Sequence, residues 1–129
     1  MESRAKERAQ DFHFLDVMGQ WLKRSSQRYE PDFIIGDPLN PYLRRWFIRP
    51  EGPSGGLYLH QILRDDDDRA LHDHPWDSSI YIISGAYKEI RKDCPEGEYF
   101  DAGSYRHMPA ETAHRLVIPL SPVWTLCFI

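Results

Sequence analysis

From Pro31 onward, proline and glycine interrupt the chain about every eight to twelve residues, and the runs between them are short and rich in β-branched and aromatic side chains. Helices need longer unbroken stretches. Strands of this length end naturally where a residue lacks its amide hydrogen or turns the backbone. The pattern predicts strands over 32–35, 43–48, 56–64, 70–74, 78–84, 87–91, 99–101, 104–108, 114–118 and 123–128. Nothing between them has the periodicity of a crossover helix, so a parallel βαβ sheet is disfavoured. Antiparallel sheets closing as a jelly roll or barrel remain.

The segment before Pro31 reads differently. Residues 2–29 contain no proline, and Phe12, Leu15, Met18, Trp21 and Leu22 recur at three- and four-residue spacings. This predicts one amphipathic helix, broken or kinked near Gly19, that packs Phe12, Leu15, Trp21 and Leu22 on the barrel or on a second subunit. With 129 residues there is enough chain for one core and too little for two ordinary domains. The organisation expected is therefore a helical segment over 1–30 and a barrel over 31–129. The helix and the apolar final run V-W-T-L-C-F-I offer more hydrophobic surface than a small barrel covers, so a homodimer is expected.

Charge and cysteine content exclude several classes. A net charge of -4 gives no global basic field to attract a phosphate backbone, and no nucleic-acid partner is expected. The one basic cluster, Arg44, Arg45 and Arg49 around Trp46, reads as a strand with an outward basic face. No apolar run approaches the roughly 18 residues of a membrane span. Only two cysteines, Cys94 and Cys127, and no apolar N-terminal signal segment point to a reducing cytoplasm. Cys94, in D-C-P-E-G, is expected in a turn. The acidic run 65–68 lacks the alternating ligands of a calcium loop and reads as a solvated turn.

Chemistry concentrates in the histidines. In L-H-D-H-P-W, His72 and His74 are two apart, so on a strand both imidazoles leave the same face and can grip one ion. Alone, such a pair is as readily two unrelated histidines. The sequence that follows changes this. The stretch H-D-H-P-W-D-S-S-I-Y-I-I-S-G, ending at Gly85, resembles the first cupin motif, and Gly103, Pro109 and His114 in G-S-Y-R-H-M-P-A-E-T-A-H match the spacing of the second. The resemblance implies an all-β cupin jelly-roll barrel with the N-terminal helix appended, and a metal held by His72, His74 and His114. The wider stretch from Tyr58 to Trp76 is also similar to uncharacterised bacterial and phage cupin-like proteins. Some of these continue past the strand at which this chain stops, which leaves room for a further C-terminal piece.

Two positions depart from the cupin pattern. Ser78 stands where the first motif places a carboxylate ligand, and Glu111 stands where a turn glycine is usual. The expectation is therefore a three-histidine face resembling the cysteine dioxygenase arrangement, with Asp77 as reserve ligand should a bulge at Pro75 turn it inward. Neutral imidazoles suit iron, zinc and nickel, and manganese is also admitted; the cupin resemblance favours iron(II). Tyr58, His60, Tyr81 and His107 are expected to support the imidazoles, Trp76 to wall the cavity, and Arg106 to meet a substrate anion or remain on the surface. Arg64, Arg69 and Arg115 read as solvated by default. The function expected is a metal-dependent cupin enzyme acting on a small polar molecule, foremost an iron(II)-dependent oxygenase. The alternatives are a non-oxidative isomerase or lyase, and a binding or sensory module without turnover.

Overall fold

The computed structural model describes residues 12–49, 52, 55–65, 76–118 and 120–129. Among these lie helix α1 (His13–Ser26) and nine strands: β1 (Phe33–Asp37), β2 (Asn40–Arg49), β3 (Leu57–Ile62), β4 (Ser78–Ser84), β5 (Ala86–Arg91), β6 (Cys94–Asp101), β7 (Tyr105–Met108), β8 (His114–Val117) and β9 (Val123–Phe128). All pairings are antiparallel. One sheet has the order β1-β2-β3-β9-β4-β7 and the other β6-β5-β8. The strand expected over 70–74 lies outside the described residues.

The larger sheet is covered on both faces, and period-2 alternation sends its side chains to two different cores. Trp46, Leu59, Tyr81, Ile83, Trp124 and Leu126 leave one face and, with Leu22, form the cluster beneath α1. Leu43, Ile62, Ile82 and Val123 leave the other and meet Tyr87, Leu116 and Ile118 from the side of the smaller sheet. That second cluster closes the barrel. Double coverage explains why β9 is buried at every position from Val123 to Cys127. It also removes that strand as a subunit surface: the apolar run V-W-T-L-C-F-I pairs with β3 and β4 inside the sheet.

Helix α1 runs without interruption through Gly19, contrary to the expected break there. The glycine serves close approach instead. A Cβ at Gly19 would stand 2.7 Å from Ile83 Cγ1, so the missing side chain lets α1 settle on the sheet. Gln20 Nε2 donates to the Ile83 carbonyl at 3.0 Å, and Lys23 Nζ donates to Ser84 Oγ at 3.2 Å. Leu22 is buried, and Phe12, Leu15 and Met18 pack against the same cluster. Trp21 does not: it is 59% exposed on the outer face with Phe14 and Val17, because the docking face is set by Gly19 and Leu22. Gly19→Val is expected to lower stability by about 1–3 kcal/mol through overpacking. Urea denaturation would check this, and an unchanged midpoint would contradict tight docking.

One turn assignment also shifts, and another holds. Cys94 begins β6 instead of lying in a turn, since Lys92 and Asp93 make the turn and Arg91 pairs with Cys94. Pro95 fits there because β6 is an edge strand, where a missing amide hydrogen costs no ladder bond. The turn between β4 and β5 is made by Gly85 at φ +86, with Pro122 O 2.9 Å from where a Cβ would stand. This is the role the motif glycine was expected to fill.

Candidate functional site

A cavity of about 350 Å³ lies within the barrel between the two sheets. The inward-facing rows of β2, β3, β8 and β9 make much of its wall, and polar side chains interrupt a largely apolar lining. His114 is one of these, 4% exposed and the first residue of β8. His60 and Tyr58 reach the wall from β3, Thr125 and Cys127 from β9, and Ser78 from the start of β4. Burial pushes the Cys127 thiol up to about 11, so it is a neutral wall group at ordinary pH and not a thiolate.

His72 and His74 lie outside the described residues; of the residues that flank their segment, Trp76 lines the cavity and Asp65 does not. Asp65 precedes the segment, and its Oδ1 accepts from the backbone N–H of Ile118 at 2.6 Å. Trp76 follows it and lines the cavity while remaining 40% exposed. Asp77 Oδ1 accepts from the backbone N–H of Ala110 at 2.7 Å. Ala110 belongs to the turn closed by Thr112 N–H to Pro109 O at 3.0 Å, immediately before His114. Asp77 is thus exposed and joins the exit of the first motif to the turn of the second. Among the described residues no non-glycine has a positive φ, so that turn accepts Glu111 where the cupin pattern usually has glycine.

The sequence candidates divide by strand parity. Tyr58, His60 and Trp76 come together with His114 at the cavity. Tyr81 does not, because on β4 it alternates with the inward Ile80 and Ile82 and faces α1. Its hydroxyl donates to Asp16 Oδ1 at 3.4 Å, and burial first, then Asp16, raises its pKa. His107 is exposed, with Nδ1 3.1 Å from Ser79 Oγ on the neighbouring strand. Arg106 is engaged with an internal partner: its Nη2 donates to Glu89 Oε1 at 2.9 Å, and its guanidinium lies 4.7 Å over the Phe100 ring.

Glu89 was not among the sequence candidates, yet its side chain is fully buried. It sits on β5 two residues beyond Tyr87 and shares that residue's inward face. Arg106, Arg91 and His114 surround its Oε1, with His114 Nδ1 at 3.7 Å and Arg91 Nη1 at 3.4 Å. Arg91 also bonds Asp93 and Glu98. An acidic residue at the parity of a buried tyrosine was the available signal in A-Y-K-E-I-R.

Arg45 is the other residue placed differently from expectation. Arg44 bonds Gln61 Oε1 at 3.1 Å on the helix side of the sheet, but Arg45 alternates to the barrel side and lines the cavity. Only part of the basic cluster therefore faces outward. The Arg45 Nε donates to His60 Nε2 at 2.9 Å, which makes that nitrogen an acceptor.

This doubly covered antiparallel barrel is a cupin fold, and solved structures of similar shape are cupin folds as well. A structure of the DMSP lyases RdDddP and RnDddQII matches with a TM-score of 0.56 and 16% identity, covering 67% of this chain and 46% of that one. Fe(II)-HppE with the substrate (S)-1-HPP matches with a TM-score of 0.59 and 14% identity, covering 78% and 56%. The EutQ protein of Clostridium difficile matches with a TM-score of 0.57 and 12% identity, covering 74% of each chain. This chain thus spans about half the length of the first two. Identities this low establish the fold alone. No family model and no curated protein matches the sequence.

Proposed function

We propose that the protein is a metal-dependent cupin enzyme that holds one divalent ion with His72, His74 and His114 and acts on a small polar molecule in the cavity. The observation that carries this reading is the buried His114 on the cavity wall, with Trp76, two residues after His74 in the sequence, lining the same cavity. Among the described residues no cluster of three metal-ligating side chains forms, as expected when two of the three ligands lie outside them. His114 itself fits a metal ligand: a buried imidazole with a carboxylate oxygen 3.7 Å from Nδ1, the side on which outer groups orient a ligating ring. Coordination would then use Nε2.

Iron(II) is the favoured ion and an oxygenase the favoured activity, supported by the likeness to Fe(II)-HppE. When bound, the ion supplies Lewis acidity and one-electron chemistry. The chain's own residues exclude water from the cavity with Leu43, Ile62, Met108 and Leu116, and Ser78 leaves uncrowded the place where the usual carboxylate would stand. A lyase or isomerase is the second reading, favoured by the likeness to DMSP lyases. Elemental analysis of anaerobically purified protein tests the metal, and oxygen uptake with candidate substrates separates the two readings. Zinc without oxygen uptake would favour the second.

The proposed setting is a reducing cytoplasm, in keeping with two free cysteines. No helix among the described residues is long and apolar enough to cross a membrane. The proposed assembly is a homodimer. Phe14, Val17 and Trp21 on the outer face of α1, and Phe33, Ile34 and Ile35 on edge strand β1, are exposed apolar surfaces of the kind subunits cover. Light scattering is expected to give twice the chain mass, and a monomer at high micromolar concentration would refute this.

A further inference from the structure

We infer that the molecule taken into the barrel cavity is a small organic acid whose carboxylate is anchored by Arg45; this rests on the reading of the cavity as a ligand site. Among the described residues that line the cavity, Arg45 is the only lysine or arginine, and no aspartate or glutamate joins it there. Arg45 makes no ion pair with any described carboxylate, whereas Arg91 and Arg106 each hold Glu89. Among the described residues its one side-chain hydrogen bond is from Nε to His60 Nε2 at 2.9 Å, an acceptor that bears no negative charge. Aromatic rings steady it further: the guanidinium carbon lies 5.1 Å from the Tyr58 ring centre and 5.8 Å from that of Phe33.

These contacts use Nε and the faces of the guanidinium and, among the described residues, leave the two Nη amino groups to bind a ligand. Their N–H groups form the fork that matches a carboxylate with two parallel hydrogen bonds. A cation placed against a largely apolar wall carries a desolvation cost that a bound anion offsets, and an uncharged ligand does not. Ile35, Leu43, Ile62 and Met108 on the same wall suit an apolar body behind the head group. A volume of about 350 Å³ limits that body to a small molecule. Arg45 is thus the specificity-determining residue of the cavity, selecting charge while the apolar wall selects size.

Hexanoate and its uncharged isostere hexanamide test this by calorimetric titration into the full chain as purified and into a full-length His72→Ala, His74→Ala variant. Hexanoate is expected to bind about tenfold or more tightly than hexanamide in both proteins. Arg45→Gln is expected to remove that preference by weakening hexanoate while leaving hexanamide unchanged. Arg45→Lys, which keeps the charge and loses the fork, should retain part of it, so the result does not depend on one variant folding. Hexanoate binding no more tightly than hexanamide, including the case where neither binds, overturns the inference. So does a preference that vanishes in the double histidine variant, because the metal would then be the anchor. Loss of metal from that variant with the acid preference intact would uphold Arg45 independently of the reaction assigned to the protein.

Discussion

Replacing His114 with alanine is expected to remove most bound metal while leaving the barrel folded. The side chain is buried on the cavity wall at the start of β8, but the two cores that stabilise the fold are made by other residues. A jelly roll with its own cores does not depend on metal to fold, unlike a zinc finger. His72→Ala and His74→Ala are expected to behave in the same way. Loss of an outer-shell partner alone lowers metal affinity roughly 10- to 100-fold, and loss of a ligand should exceed that. Ser78→Ala should leave occupancy nearly unchanged. Asp77→Ala should act through the Pro109–Thr112 turn that it braces at Ala110, lowering stability more than occupancy. Elemental analysis of anaerobically purified variants, with circular dichroism as the folding check, reads all five. Full metal content in a His72→Ala, His74→Ala double variant would refute the site.

Glu89→Ala should be among the most destabilising single substitutions in the protein. The carboxylate is fully buried, and its removal leaves Arg106, only 17% exposed in its side chain, without its close partner. Breaking a buried pair from one side costs about 3–5 kcal/mol, and the lower end applies here because Arg106 retains some solvent and Glu98 stands 3.9 Å from it. Glu89→Ala combined with Arg106→Met should recover part of the loss, since the stranded charge is then gone. Chemical denaturation of both single variants and the double one gives the coupling directly. Additive losses would mean the pair contributes nothing beyond its separate residues. A fall in metal content of Glu89→Gln at unchanged folding would further tie the carboxylate to the orientation of His114, whose Nδ1 lies 3.7 Å away.

The edge strand β1 and the outer face of α1 bear on how the molecule behaves in solution. Phe33, Ile34 and Ile35 present exposed apolar side chains on a strand that lies at the sheet edge among the described residues, a combination that invites association. Arg45 beneath Phe33 gives that edge a direct connection to the cavity, so covering β1 would also narrow access to the ligand.

Local chemistry determined much of this molecule in the sequence itself. Proline and glycine spacing marked antiparallel strands, and the runs at Ser78–Ser84 and Val123–Phe128 have the bounds expected, the first stopped by Gly85 and the second started after Pro122. The motif spacing singled out His114, which the fold buries on the cavity wall. Parity along a strand is also local: it fixes that Tyr81 opposes Ile80 and Ile82, and that Arg45 opposes Arg44. Which of the two faces meets the cavity is not local, because α1 and the smaller sheet both bury apolar surface and both faces look equally hydrophobic in the sequence. Only the packing of α1 through Gly19 onto Ile83 assigned Tyr81 to the helix side, and only closure of the smaller sheet assigned Arg45 and Glu89 to the interior. Buried charge escapes sequence reading for the same reason: Arg91 stands beside Glu89 on its own strand, but the closer partner Arg106 comes from β7 of the other sheet and reaches Glu89 only when the sheets meet.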